Sequence, residues 1–211
     1  MDIEEFSNKI IDYCRKNNYK KVYICGNGGA GKTTLSKKLY EVGSKFGKSN
    51  IISLDDFMAD IEMRKNSVNK WSENGIEHSY RYTSSNKESY FIKNIDEILY
   101  NIDHGINCYY FPKHYEEENS IKQLHSNYYL TIIEGVGTAF LNRSNSLSIF
   151  LKCSEETETE RRIKRTNELN RNSIELYDEL RTKQFENNIL IHIDEFNMIV
   201  NTDNNIFEIV K

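Results

Sequence analysis

The 211-residue sequence predicts a single α/β domain, in which a parallel sheet carries helices on both faces. Apolar runs at 22–25 and 129–133 have the length of buried strands. After the first run, Leu35, Leu39 and Val42 recur at the spacing of one helix face. Because such strands and helices alternate along the chain, we expect parallel strands joined by helices, with ligands bound beyond the carboxyl ends of the strands.

Each element is predicted from its local pattern. Short apolar runs predict strands, at 22–25, 51–54, 108–111, 129–133, 147–151 and 198–200. Apolar residues that recur every three or four positions, or a polar cap, predict helices at 2–17, from 32 to about 43–47, at 87–102, at 154–172 and at 173–189. Asp2 and Ser154 are the expected N-caps of the first helix and of the helix that begins at 154.

Residues 59–84 differ from the rest of the chain. They are polar, show neither helical nor strand periodicity, and include the single tryptophan, Trp71. We predict that this segment is a small insert that faces the substrate. Since no second domain boundary is visible, residues 1–211 are predicted to form one domain.

Composition excludes several classes of protein. The 28 basic and 32 acidic residues are mixed and give a net charge of −4, which disfavours a nucleic-acid binder. No apolar stretch approaches the roughly 20 residues that span a membrane, and the N-terminus does not resemble a signal peptide. With four scattered cysteines, we expect reduced thiols in a cytoplasmic protein. Whether the chain forms a homo-oligomer is left open.

A glycine-rich turn between the first strand and its helix matches the pattern G-x-x-x-x-G-K-[ST] at every position. Glycines let successive amides curl around a phosphate, and the start of the helix adds the positive end of its dipole. The residues predicted to bind the nucleotide are Gly26, Asn27, Gly28, Gly29, Ala30, Gly31, Lys32, Thr33 and Thr34. We expect ATP here, with Lys32 on its β- and γ-phosphates and Thr33 on Mg²⁺.

Acidic residues end two of the predicted strands. Asp55 and Asp56 follow the second strand, and Glu134 follows the apolar run at 129–133. Parallel strands would bring both ends to the edge that holds the glycine turn. Phosphoryl transfer needs a carboxylate for Mg²⁺ and a group that positions the acceptor hydroxyl. Asp55 and Glu134 are therefore candidate metal and catalytic residues, while Asp56 either contacts the substrate or ends the strand as a turn former.

These motifs resemble the uridine kinase-like group of P-loop kinases, which includes uridine–cytidine kinase, phosphoribulokinase, pantothenate kinase and nicotinamide riboside kinase. The matching segments, in the family's order, are GNGGAGKTT (26–34), SLDDF (53–57), TIIEG (131–135) and ERRIKR (160–165). The resemblance implies a P-loop fold with a helical arginine lid at about 154–172. It also implies that Asp55 is the catalytic base and that Glu134 serves the metal.

Three arginines on the helix that follows Ser154 carry the lid prediction. Arg161 and Arg165 are four residues apart on one helix face, and Arg162 is adjacent. Guanidinium groups suit phosphate oxygens and can offset the charge that builds during transfer. We assign Arg162 and Arg165 to catalysis and Arg161 to nucleotide binding. The alternative is a solvated helix face that forms exposed ion pairs.

The acceptor is predicted less directly. By the same resemblance, Tyr109 would stack on a nucleoside base and His114 would form a hydrogen bond with it. However, Tyr110 and Thr166 stand where the family has aspartates. A nucleoside such as uridine or cytidine is the leading acceptor, and nicotinamide riboside, pantothenate or a sugar stays an alternative.

Two functions from different classes fit the sequence. The first is an ATP- and Mg²⁺-dependent kinase that phosphorylates a hydroxyl of a small metabolite. The second is a non-enzymatic ATP-binding module that signals to a partner. A GTPase is disfavoured because Asn86-Lys87 is not followed by the aspartate of the guanine-reading segment, and Glu134-Gly135 does not match Asp-x-x-Gly.

Overall fold

The computed structural model describes residues 1–113, 121–168 and 179–211. The strands in these ranges are β1 (Lys21–Gly26), β2 (Ser49–Ser53), β3 (Val68–Glu73), β4 (Ile76–Arg81), β5 (Cys108–Tyr110), β6 (Lys122–Leu124), β7 (Leu130–Glu134), β8 (Leu147–Lys152), β9 (Met198–Asn201) and β10 (Glu208–Ile209). The α-helices are α1 (Ile3–Asn17), α2 (Lys32–Gly43), α3 (Ile61–Lys65), α4 (Ile92–Asp103), α5 (Glu155–Glu168) and α6 (Glu179–Asn188).

The main sheet has six strands in the order β10-β9-β8-β1-β7-β2. All neighbours in it are parallel except β10, which runs antiparallel to β9. The predicted parallel sheet is therefore confirmed. In its register, Glu134 at the end of β7 lies between Ile24 of β1 and Ser53 of β2. Three strand ends thus meet at one edge of the sheet.

Helices cover both faces of this sheet, as predicted. Val22 and Ile24 of β1 pack in one buried cluster with α1 and α2. Tyr23 packs in a cluster with α4 on the opposite face, and Cys25 packs there with Phe185 of α6. This division follows from the alternation of side chains along a strand, which sends neighbouring residues to opposite faces.

The N-caps of α1 and α5 agree with the sequence analysis, whereas α4 begins at Ile92 instead of the predicted 87, because Lys87–Ser89 forms a separate 3-10 turn. The Asp2 carboxylate accepts a hydrogen bond from the amide of Glu5 at 2.8 Å and caps α1. The Ser154 hydroxyl accepts one from the amide of Thr157 at 3.3 Å and caps α5. Both contacts satisfy an amide that the first helical turn would leave without a partner. None of the helices in the described ranges has the length and apolar character that crossing a bilayer requires.

The insert at 59–84 contains regular structure that its periodicity does not predict. Helix α3 is followed by a hairpin of β3 and β4, and none of the three elements has a buried residue. Asn74 and Gly75, both with positive φ, form the hairpin turn. An Asn-Gly pair is a known hairpin signal, so the turn was readable from the sequence. The strands themselves were not readable, because their side chains face no core.

Two further differences concern strands. The predicted strand at 108–111 forms as β5, but it pairs with β6 in a separate two-stranded sheet instead of joining the main sheet. The second strand ends at Ser53, and Leu54–Phe57 forms a 3-10 turn. Leu54 is buried all the same, so its apolar character predicted burial correctly and strand conformation wrongly.

A buried amide connects α6 to the segment that follows β4. Gln184 is 1% exposed. Its side-chain oxygen accepts from the amide of Thr83 at 3.3 Å and from the Thr83 hydroxyl at 2.9 Å, and its nitrogen donates to the Arg81 carbonyl at 3.0 Å. Because these polar groups are buried or partly buried, Gln184 fixes the position of residues 81–86 relative to α6.

Replacing Gln184 with methionine should test this connection. Gln184→Met keeps the volume of the side chain but leaves the amide and hydroxyl of Thr83 without that acceptor. We expect a loss of about 2 kcal/mol in the free energy of unfolding, measured by urea denaturation. The matched control is Gln123→Met at an exposed position, which should change stability by less than about 0.5 kcal/mol. Equal effects of the two substitutions would contradict the assignment.

Candidate active site

The glycine-rich turn lies where the sequence predicts it, between β1 and α2. A Cβ atom added at Gly26 would lie 2.2 Å from the Leu151 carbonyl oxygen of β8. A Cβ atom added at Gly29, where φ is 82°, would lie 3.2 Å from the Glu158 carbonyl oxygen of α5. The turn therefore packs against the backbone of two other elements, and both positions require glycine.

The start of α2 presents main-chain donors. From Gly31 onward, the first main-chain amide that donates to a main-chain carbonyl is that of Leu35, which donates to Gly31 at 2.9 Å. The amides of Gly31, Lys32, Thr33 and Thr34 donate to no acceptor among the described residues. Such amides at a helix N-terminus form a ready binding site for an anion.

A cavity of about 590 Å³ opens beside these amides. Its lining includes residues 28–34 together with Asp55, Glu134, Arg161 and Arg165. The structure thus brings the glycine turn, both strand-end acids and two of the three predicted arginines to one space. Its volume lies within the usual range for small-molecule sites.

The centre of the site is a buried carboxylate. Glu134 is 5% exposed, and its Oε1 atom accepts from the Thr33 hydroxyl at 3.3 Å and from the Ser53 hydroxyl at 3.1 Å. Lys32 donates through Nζ to the Asn27 carbonyl at 2.8 Å. The strand register places Glu134 directly beside Ser53, and the helix that starts at Lys32 brings Thr33 to the same carboxylate.

Burial raises the pKa of Glu134, and repulsion from Asp55 adds to this effect. Lys32 and the two hydroxyl donors act in the opposite direction. No described residue donates a hydrogen bond to the second carboxylate oxygen, Oε2. A buried carboxylate oxygen next to a threonine hydroxyl suits Mg²⁺, which is bound by oxygen atoms. The described residues contain no cluster of three acidic, histidine or cysteine side chains, so water and phosphate oxygens would complete the coordination.

The two aspartates after β2 take different positions. Asp55 is exposed and lines the 590 Å³ cavity. Asp56 is outside that lining, and its carboxylate accepts from the Tyr110 hydroxyl at 3.0 Å and from Lys122 at 2.9 Å. The 3-10 turn separates these neighbours, because consecutive residues in it point in different directions. The structure therefore places Asp56 beside β5, the strand that carries Tyr109, and not in the lining of this cavity.

Arg161 holds the outer side of the glycine turn. Its guanidinium donates to the Gly29 carbonyl at 2.9 Å, to the Thr202 carbonyl at 2.6 Å and to the Asn205 side chain at 3.1 Å. The Thr202 hydroxyl, in turn, donates to the Ala30 carbonyl at 3.1 Å. Sequence reasoning missed Thr202 and Asn205, because no local pattern relates Thr202 to Ala30, 172 residues earlier, or Asn205 to Arg161, 44 residues earlier.

The remaining two predicted arginines of α5, Arg162 and Arg165, line different cavities. Arg165 is exposed and lines the 590 Å³ cavity. Arg162 instead pairs with Glu158 one turn earlier, at 3.1 Å, and lines a neighbouring cavity of about 360 Å³. The predicted lid extends to 172, and its part beyond 168 lies outside the described residues.

Tyr109, one of the two predicted base-binding residues, is not brought to the cavity. Tyr109 is 66% exposed and does not line the 590 Å³ cavity. Its neighbour Tyr110 is buried and packs on Phe57, with ring centroids 4.8 Å apart. His114 lies outside the described residues. Both base contacts stay predictions.

Replacing Glu134 with glutamine should raise stability in a pH-dependent manner. Because its pKa is raised, the native state binds more protons than the unfolded state, and wild-type stability falls as pH rises above the ordinary glutamate value of 4.5. Glu134→Gln removes this penalty and keeps an acceptor for Thr33 and Ser53. At pH 7 the variant should melt about 2–4 °C higher, and the gap should close as pH approaches 4.5.

Thermal melts between pH 4 and pH 8 measure this gap and the sign of its slope with pH. The matched control is Glu208→Gln, which removes an exposed carboxylate of β10 and should leave the melting temperature nearly unchanged. A Glu134→Gln protein that melts lower than the wild type at pH 7 would contradict this account of the buried charge.

No protein-family model and no curated protein sequence matches this chain. Among solved structures, it is similar to a protein assigned as a fructose transport system kinase from Silicibacter sp. TM1040, with a TM-score of 0.55, 15% identity, and coverage of 92% of this chain and 93% of that one. It is also similar to phosphoribulokinase from Rhodobacter spheroides, with a TM-score of 0.57, 10% identity, and coverage of 90% of this chain and 74% of that one. The protein YGR205w matches with a TM-score of 0.56, 12% identity, and coverage of 95% of this chain and 93% of that one. This chain therefore has the α/β fold that these kinase structures and YGR205w share.

Proposed function

We propose that this protein transfers the γ-phosphoryl group of ATP, with Mg²⁺, to a hydroxyl group of a small metabolite. The observation that carries the proposal is the single cavity lined by the glycine turn, Lys32, Asp55 and Glu134. Phosphoryl transfer depends mainly on positioning and on charge stabilisation, and these residues supply donors, a cation and two carboxylates.

The triphosphate would be held by the start of α2. The open amides of residues 31–34 would donate to phosphate oxygens, since they have no acceptor among the described residues. The Lys32 ammonium donates to a main-chain carbonyl of the turn, and it would exchange this acceptor for the β- and γ-phosphates. Glu134 and Thr33 would hold the metal. Magnesium supplies positive charge that offsets the charge on the phosphate oxygens.

Asp55 is the proposed catalytic base. It is exposed on the lining of the cavity, whereas Glu134 is buried and already accepts two hydrogen bonds. In the reaction, the acceptor oxygen forms a bond to the γ-phosphorus as the bond from that phosphorus to the β-phosphate oxygen breaks. The acceptor proton passes to the Asp55 carboxylate, and ADP leaves.

A nucleoside of the uridine or cytidine kind is the proposed acceptor. The support is the set of motifs shared with the uridine kinase-like group and their order along the chain. Tyr110 occupies the position of that group's aspartate and donates to Asp56, so the recognition of the sugar would differ from the group's pattern. Nicotinamide riboside, pantothenate and simple sugars are the alternative acceptors on the same machinery.

Asp55→Asn removes the proposed proton acceptor with little change in shape. We expect kcat to fall by about 10²–10⁴, the usual range for loss of a general base, while the affinity for Mg·ATP stays close to that of the wild type. ADP release with Mg·ATP and a panel of acceptors measures this effect. Asp60→Asn is the control, because that exposed carboxylate lies outside the cavity lining. Full turnover by Asp55→Asn would remove Asp55 from the role.

The same assay separates a kinase from an ATP-dependent switch. A kinase releases ADP quickly only when its acceptor is present, since the acceptor hydroxyl is the second reactant. A switch would hydrolyse ATP slowly and at the same rate with every metabolite. Acceptor-independent, slow release would contradict the proposed kinase and support the switch.

Lys32→Ala should lose nucleotide affinity and turnover together. The Lys32 ammonium is the positive charge that we propose binds the β- and γ-phosphates. Its removal should weaken Mg·ATP binding by about tenfold or more. Titration calorimetry measures the affinity directly. Lys37→Ala, at an exposed position of the same helix, should bind Mg·ATP like the wild type. Unchanged binding by Lys32→Ala would contradict the assignment of the turn.

A further inference from the structure

A carboxylate from the lid helix lies against the glycine turn. Glu158 of α5 accepts a hydrogen bond from the side-chain amide of Asn27 through Oε2. Its other oxygen, Oε1, lies 3.1 Å from Arg162 and 3.6 Å from Arg181 of α6. Three elements of the fold therefore direct donors to one acidic side chain: the turn, the lid helix and the helix that follows it.

This arrangement is more enclosed than a surface ion pair. The side chains of Glu158, Arg162 and Arg181 are 14%, 18% and 23% exposed. Burial raises the pKa of Glu158, while Arg162 and the charge of Lys32 lower it. Exposed pairs four residues apart contribute little to stability, but here a second arginine and an amide converge on the same carboxylate.

The carboxylate also covers the turn itself. A Cβ atom added at Gly28 would lie 3.2 Å from Arg181 and 3.6 Å from the Glu158 carboxylate, and one added at Gly29 would lie 3.4 Å from the Glu158 side chain. Asn27, which donates to Glu158, also accepts from the amide of Gly28 at 2.8 Å. Arg181 lines both the 590 Å³ cavity and its 360 Å³ neighbour, so it lies at the boundary between them.

We infer that Asn27, Arg162 and Arg181 form a phosphate subsite, and that Glu158 occupies it as an internal anion when no nucleotide is bound. Two guanidinium groups and an amide are the donors that a phosphate group uses in proteins. A carboxylate has a negative charge and two planar acceptor oxygens, so the same donors can bind it in place of a phosphate. This inference rests on the proposed nucleotide binding at the turn.

Two consequences follow for nucleotide binding. First, a phosphate group must displace the Glu158 carboxylate, so the internal anion lowers the measured affinity for ATP. Second, displacement transfers Arg162 and Arg181 from Glu158 to the phosphate, which couples nucleotide binding to the position of α5. Arg181 becomes a phosphate-binding residue supplied by α6, outside the arginine motif of α5.

The test is the affinity for Mg·ATP after Glu158 loses its charge. Glu158→Gln should bind Mg·ATP about tenfold more tightly than the wild type, because the neutral amide competes poorly for two guanidinium groups. Glu160→Gln is the matched control, since it removes the same charge from an exposed position two residues along the same helix. It should stay within about twofold of the wild type. Titration calorimetry at fixed salt measures all three.

Arg181 is tested in the background of the first variant. Glu158→Gln combined with Arg181→Gln should lose the gain and bind Mg·ATP about tenfold more weakly than Glu158→Gln alone. The affinities of these variants for inorganic tripolyphosphate should rank in the same order, because the subsite binds phosphate groups and makes no contact with the base. If Glu158→Gln fails to fold, Glu158→Ala is used instead. It removes the whole carboxylate, and its affinity for Mg·ATP should also be higher than that of the wild type.

The inference is overturned if neither Glu158 variant binds Mg·ATP more tightly than Glu160→Gln. In that result Glu158 acts only as a structural partner of the two arginines. This failure is distinct from failure of the proposed function. A wild type that binds Mg·ATP, loses it in Lys32→Ala and is indifferent to Glu158→Gln contradicts only the inference, whereas a wild type that binds no Mg·ATP contradicts the proposed function itself.

Discussion

The site depends on one buried negative charge, the carboxylate of Glu134 at the end of β7. The parallel register places it between β1 and β2, where its side chain is buried at the edge of the cavity. Burying a carboxylate is costly unless donors or cations surround it. Within the described residues, the Ser53 and Thr33 hydroxyls and the charge of Lys32 compensate in part, and burial still leaves the pKa of Glu134 raised. The register, the glycine turn and the start of α2 are thereby linked through a single side chain.

Around this centre, long-range contacts hold the glycine turn in place. Arg161 and Thr202 bind its carbonyls, while the main-chain amides of residues 31–34 have no described acceptor. This asymmetry matters for function, because carbonyls that are already satisfied leave the turn with a net supply of donors. Such a turn is prepared to bind an anion before the anion arrives, which reduces the cost of ordering it on binding.

Sequence reasoning recovered the features that depend on local patterns. Periodicity identified the main parallel strands and their helices, and the motif identified the turn, since spacing along the chain encodes both. It did not recover contacts between distant segments, such as Thr202 with Ala30 or Glu158 with Asn27. It also failed for the hairpin of β3 and β4, whose strands face no core. The partners of Asp56, Tyr110 and Lys122, could not be predicted, because the pairing of β5 with β6 brings them together and no spacing in the sequence encodes that pairing.

A crystal structure with Mg²⁺ and a non-hydrolysable ATP analogue tests the central claim most directly. The account predicts that the β-phosphate lies within hydrogen-bond distance of the amides at the start of α2. It also predicts metal density between Thr33 and Glu134, with the γ-phosphate on the side of Asp55. A nucleotide bound away from the glycine turn, or a metal held without Glu134, would contradict the account.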